Sequence, residues 1–177
     1  MLTLRALVAG AVLLMALPAW CSDQEATRPF SAPWWGPESV VLYGGVYGLR
    51  GPEKWEDGFF GLELRGGHFW WELRLITGAL SASDGSGYVY AGVLADIPVA
   101  NVLHIILSFA PGVYSGGTDH QLGFPLIFRS TVEFSVAVAG SVRLGVSASH
   151  MSNGRLAHQN TGVESLSLTV TILTLPY

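Results

Sequence analysis

The sequence predicts an all-β fold, an eight-stranded antiparallel transmembrane β-barrel of the outer-membrane type. Three observations carry that expectation. Half of the 177 residues are hydrophobic, only 12% are charged and 22 are glycine, whereas soluble domains are usually about a quarter charged. Beyond the first 20 residues no uninterrupted apolar run approaches the roughly 20 residues of a spanning helix. A closed barrel is the other structure that satisfies its backbone in lipid. From Glu38 onward, segments of about ten residues alternate with turn signals, the spacing of barrel strands. The same composition excludes disorder, which needs few apolar residues. A formal net charge of −4 leaves no basic footprint, so nucleic acid is not an expected partner.

The first element, residues 1–21, reads as a secretory signal peptide: Arg5, an apolar core from Ala6 to Leu17, then polar Ser22-Asp23-Gln24-Glu25. Small residues at Ala19 and Cys21 suit cleavage after Cys21, with Ala19 as the other candidate. A membrane anchor would need a longer run, and Trp20 sits where a lipoprotein has a small residue. Cys21 is the only cysteine, so no intrachain disulfide or cysteine metal cluster is available. Residues 22–37 are Pro-rich and irregular, with Trp34 and Trp35 suited to a membrane interface.

Residues 38–177 form the expected barrel. Its strands are predicted at 39–49, 58–65, 68–77, 87–97, 101–110, 126–139, 142–152 and 163–175. The connections run long (50–57), short (66–67), long (78–86), short (98–100), long (111–125), short (140–141) and long (153–162). Short periplasmic turns alternating with longer external loops mark a barrel. Face parity agrees. Phe60, Leu62 and Leu64 oppose Glu63 and Arg65; Phe69, Trp71, Leu73 and Leu75 oppose Glu72 and Arg74. Phe128, Val132, Phe134 and Val136 oppose Arg129, Thr131, Glu133 and Ser135; Leu166, Leu168 and Val170 oppose Ser165, Ser167 and Thr169. A barrel with lipid outside and a polar lumen needs this division, with charges of both signs pairing inside. A soluble sandwich would have few charges to coat its surface.

The chemistry concentrates on the seventh hairpin. Val142, Leu144, Val146 and Ala148 face lipid, and His150 and Ser152 continue their face; Glu164 continues the face of Leu166, Leu168 and Val170. If His150 pairs with Glu164, then 148 meets 166, 146 meets 168 and 144 meets 170, apolar against apolar throughout. Three polar groups on a lipid-facing surface call for a functional explanation. Ser152 suits a nucleophile, His150 its general base and acid, and Glu164 the group that orients the imidazole. Ser152 lies one pleat repeat from His150, roughly 6.6 Å, so the ring must lean toward it. Asn153, Gly154 and Asn160 are loop residues able to donate to an oxyanion. The plainer reading is a solvated rim. His120 and His158 fall in external loops, His68 begins a strand, and His104 suits a hydrogen-bonding role in the lumen. No metal-ligand spacing occurs, and the Gly-Gly pairs at 44–45, 66–67 and 116–117 read as bends and turns.

The run His150-x-Ser152-Asn153-Gly154, followed by Asn160-x-Gly162-x-Glu164-Ser165, resembles the PagL family of outer-membrane lipid A 3-O-deacylases. The resemblance implies hydrolysis of the ester-linked acyl chain at the 3-position of lipid A, with His150, Ser152 and Glu164 as the triad. It implies Asn160 as the oxyanion-hole asparagine, Asn153 as the asparagine beside the serine, and Phe128 as a wall of the acyl groove. Expected partners are therefore lipid A or lipopolysaccharide of the outer leaflet and, as an option, a second copy in a homodimer. No cofactor or metal is expected. Two alternatives stay open from the residues: a non-enzymatic barrel acting through its external loops, and another outer-leaflet lipid hydrolase or acyltransferase.

Overall fold

A computed structural model of the chain describes residues 36–48, 57–70, 73–116, 122–158 and 162–174. The strands are β1 (Pro37–Tyr47), β2 (Gly58–Trp70), β3 (Leu73–Ala82), β4 (Gly87–Pro98), β5 (Leu103–Ser115), β6 (Leu126–Ala139), β7 (Val142–Ser152) and β8 (Val163–Leu173). Each pairs antiparallel with the next, and β1 pairs with β8 to close the barrel. Closure removes every free sheet edge, which lipid would not tolerate. The predicted signal peptide, Trp34, Trp35, Trp71, Glu72, His120, Asn160 and the last three residues lie outside the described residues.

Strands six and seven begin and end where the sequence places them; others differ for identifiable reasons. Gly66-Gly67 is not a turn. β2 runs through it to Trp70, and the ladder to β3 shifts between Arg65 and His68 and again before Trp70. Glycine accommodates such bulges, which is what the pair marks here. Phe69 and Trp70 therefore close β2 rather than open β3, and β3 continues to Ala82. The hairpin after it is tight: Gly85 has φ 83° and the Ser86 amide donates to Asp84 Oδ1 at 2.8 Å. The second external connection is thus short, not long. β5 extends through Pro111 to Ser115, beyond its predicted end at residue 110. Proline lacks an N–H, and the β4–β5 ladder is interrupted between Tyr90↔Gly112 and Val93↔Phe109, where Pro111 falls. β1 already begins at Pro37, one residue into the segment expected to be irregular.

Alternation along the strands builds two surfaces. Leu42, Phe60, Val89, Phe134, Val146 and Leu168 lie among a belt of exposed apolar side chains. Their neighbours point inward into a polar, filled lumen. Arg65 reaches Glu63 (Nε–Oε1 2.8 Å) and Glu133 (Nη2–Oε2 2.6 Å), and Tyr90 donates to the other Glu63 oxygen at 2.7 Å. Arg129 lies over the rings of Tyr43 and Tyr90, 4.9 and 5.4 Å from their centroids. The wall is shaped for these rings: a Cβ on Gly61 would fall inside Tyr43, and one on Gly78 would collide with Tyr90. Near the short turns, Asp96 bonds His104 at 2.7 Å and Arg143 at 2.9 Å, while Arg74 bonds Glu38 at 2.6 Å. An inside-polar, outside-apolar closed barrel of this size is built for a bilayer.

Candidate active site on the lipid-facing wall

The antiparallel register brings distant residues into rows across the outer wall. One row reads Phe109, Ser130, His150, Glu164 across β5 to β8, each the cross-strand partner of the next. One pleat repeat nearer the exterior the partners are Pro111, Phe128 and Ser152. One repeat nearer the membrane centre they are Leu107, Val132, Ala148, Leu166 and Val46. The register joining His150 to Glu164 also pairs Ala148 with Leu166, Val146 with Leu168 and Leu144 with Val170. The register supposed from the sequence, His150 opposite Glu164, is the register found.

Within the row, His150 Nδ1 lies 3.5 Å from Glu164 Oε1. The histidine side chain is 49% exposed and the glutamate 26%, so the pair sits on the outer wall at the rim rather than in the lumen. The Glu164 backbone is fixed from its other side, where its carbonyl accepts from the Gly48 amide at 3.0 Å. Continuing the β7–β8 ladder one step beyond Met151↔Val163 puts Gly162 across from Ser152. A Cβ on Gly162, whose φ is 60°, would lie 3.0 Å from His150 Cε1 and 3.6 Å from Nε2. The free edge of the imidazole has therefore risen from its own row to the row of Ser152. Glycine leaves the space that this lean requires.

Ser152 is half-buried at the end of β7 and directly opposite Phe128. The chain turns immediately after it. Gly154 and Arg155 have φ 61° and 69°, and the Leu156 amide donates to the Asn153 carbonyl at 3.1 Å. Positive φ at both central residues makes a tight turn, in which Gly154 takes the first position without steric cost. Asn153 does not offer its side chain to the surface. It is fully buried, its Nδ2 donating to Leu122 O at 2.8 Å and its Oδ1 accepting from the Arg155 amide at 2.8 Å. The described partners make it the fastener of this turn. Gly154 rests on Phe128, where a Cβ would come 3.2 Å from the ring, and Phe128 stacks on Phe109 at 5.9 Å. Behind the wall, Ser149 and Ser165 join hydroxyls at 2.7 Å and Met151 is buried against Tyr47.

Of the other histidines, His68 bonds Arg74 at 3.0 Å and His104 bonds Asp96 inside the lumen, while His158 is exposed in the β7–β8 connection. Sequence reasoning missed Ser130. It shares the outward parity of Phe128 and Val132, but its adjacency to His150 depends on the β6–β7 register, which no local pattern fixes. The role of Gly162 beside the imidazole was equally hidden, although its place in the motif was visible.

The lipid A 3-O-deacylase (PagL) family model matches residues 60–172. The chain belongs to the PagL family. Among solved structures, the outer-membrane enzyme PagL superposes with a TM-score of 0.61 at 22% identity, covering 76% of this chain and 98% of that one. A de novo designed transmembrane β-barrel gives 0.55 at 10% identity, over 77% and 96%. Neisserial surface protein A gives 0.53 at 15% identity, over 76% and 96%. No match was found among curated protein sequences. Membership of the PagL family makes the chain an outer-membrane enzyme, a carboxylic ester hydrolase acting on lipid A. It sets aside the non-enzymatic barrel.

Proposed function

We propose that this barrel removes the 3-O acyl chain of lipid A with a Ser152–His150–Glu164 triad directed sideways into the outer leaflet. The observation that carries the reading is the cross-strand pair of His150 and Glu164 on the outer wall, Nδ1 to Oε1 3.5 Å, with the far edge of the ring against Gly162. The contact is longer than a committed hydrogen bond, and such contacts are commonly loose before substrate binds.

Ser152 Oγ attacks the ester carbonyl carbon while His150 Nε2 takes its proton. Glu164 accepts from Nδ1–H, holds the imidazole in the tautomer with a free Nε2 and stabilises the imidazolium. The tetrahedral oxyanion is received by Asn160, as its place in the Asn160-x-Gly162-x-Glu164 motif suggests, and by backbone donors of the turn at Gly154. Collapse breaks the bond between the acyl carbon and the sugar oxygen, and His150 returns the proton to that oxygen. Water then repeats the sequence on the acyl-serine and releases a fatty acid. A triad facing the lumen would require acyl chains to leave the bilayer. Here Ala148, Leu166 and Val132 lie directly below and offer an apolar track, walled by Phe128 and Phe109.

Wild type, Ser152→Ala and His150→Asn expressed in outer membranes test this by the mass of extracted lipid A. Wild type alone should remove one ester-linked hydroxyacyl mass. Unchanged lipid A with correctly inserted wild type, or full conversion by Ser152→Ala, would refute the triad.

A further inference from the structure

Ser130 stands out as a polar group on the lipid-facing wall that the triad does not use. It is exposed, it is the direct cross-strand partner of His150 on the side away from Glu164, and its other neighbour is Phe109. Its hydroxyl has no hydrogen-bond partner among the described residues, in contrast to the paired serines behind the wall. A hydroxyl left open toward lipid is unfavourable there unless something polar arrives to meet it.

Position restricts what can arrive. Ser130 is the diagonal neighbour of Ser152, about 7–8 Å away on an antiparallel pair. It lies one pleat repeat deeper in the membrane, in the row below the attacked ester. Next to it in that deeper direction are Val132 and Ala148, so the lane from Ser152 toward the membrane centre is apolar below this one hydroxyl. An acyl chain bound with its carbonyl at Ser152 passes Ser130 with the carbons closest to the ester and then runs over the apolar residues.

We propose that Ser130 is a specificity-determining residue that hydrogen-bonds a hydroxyl carried on the acyl chain beside its ester carbonyl, selecting 3-hydroxyacyl esters over plain acyl esters. The assignment rests on the esterase reading above, and its test separates the two. Full-length protein folded in detergent micelles is given two lipid A-type glycolipids that differ only in a 3-hydroxytetradecanoyl or a tetradecanoyl ester at the cleaved position. Wild type should prefer the hydroxylated ester by about tenfold in kcat/KM, the difference that one hydrogen bond of ~1.4 kcal/mol provides. Ser130→Ala should bring that ratio close to one, and Ser130→Thr, which keeps the hydroxyl, should retain most of it. An equal preference in wild type and Ser130→Ala, or none in wild type, would overturn the assignment while esterase activity persists. Failure of the esterase reading shows differently: Ser152→Ala would cleave both esters as fast as wild type, and the assignment would fall with it.

Discussion

The barrel contains two sets of polar side chains, and they are treated oppositely. In the lumen the carboxylates are buried and matched: Arg65 holds two glutamates at 2.8 and 2.6 Å, Thr169 supports Glu133 at 3.1 Å, and Asp96 is held by Arg143 and His104. On the outer wall His150 is half-exposed, its contact to Glu164 is 3.5 Å, and the hydroxyls of Ser130 and Ser152 have no partner among the described residues. A buried charge must be matched by its neighbours or the fold loses stability. Groups that await a substrate keep bonding capacity in reserve. On the proposed reading, function lies on the wall and stability in the lumen.

The sharpest way to break the comparison is to truncate one residue from each set. Arg65→Ala leaves Glu63 and Glu133 buried together without their shared cation, and it should cost about 3–5 kcal/mol of barrel stability. Ser152→Ala should leave unfolding unchanged and lower deacylation by at least about 10⁴-fold. Urea unfolding in micelles, read beside lipid A mass, checks both. A Ser152→Ala barrel that unfolds as early as Arg65→Ala would erase the distinction.

Within the wall set the three groups should not weigh equally. In the proposed triad Glu164 orients and stabilises but neither attacks nor transfers the proton. Glu164→Ala is therefore expected to be about a hundredfold milder than Ser152→Ala, the pattern seen when the carboxylate of a triad is removed alone. Initial rates of acyl release measure it, and wild-type activity in Glu164→Ala would remove that residue from the mechanism.

Gly162 sharpens the comparison further because it has no polar group at all. Its effect should pass entirely through the imidazole. A methyl group there meets His150 Cε1 at 3.0 Å and requires a residue other than glycine at φ 60°. Gly162→Ala should lower kcat by about a hundredfold, the scale of a misplaced catalytic group, with KM nearly unchanged. A rise in KM at constant kcat would show that the methyl obstructs substrate instead.

Much of this wall is legible in the chain because parity is a local property. Period-two alternation through Leu144, Val146 and Ala148, and through Leu166, Leu168 and Val170, fixes which side chains face out. Pairing His150 with Glu164 then sets apolar residues against apolar ones at each of these steps. The same reasoning fails where alternation is broken. Gly66-Gly67 looks like a turn because glycine serves bulges and turns alike, and only the ladder to β3 distinguishes them. Pro111 looks like a terminator because the gap in the β4–β5 ladder that admits it is a tertiary feature. Asn153 sits beside Ser152 in sequence, yet Leu122, brought from the β5–β6 connection, draws its amide inward. Chain neighbours of the triad were thus easier to find than its cross-strand neighbours.

The smallest expected effect falls on the apolar edge of the site, where wall and substrate meet without polar contacts. Phe128 faces Ser152 across the β6–β7 ladder, stacks on Phe109 and supports Gly154. It touches none of the reacting atoms, so its truncation should weaken binding of the acyl chain in ground and transition state alike. Uniform loss of that kind raises KM and spares kcat. Phe128→Leu keeps an apolar side chain and should raise KM by a few-fold, the scale of losing one buried methylene at about 0.8 kcal/mol. Saturation kinetics on micellar substrate separate the two constants. A fall in kcat with KM constant would place the ring in control of the turn after Ser152, and so of the nucleophile, rather than of the acyl chain.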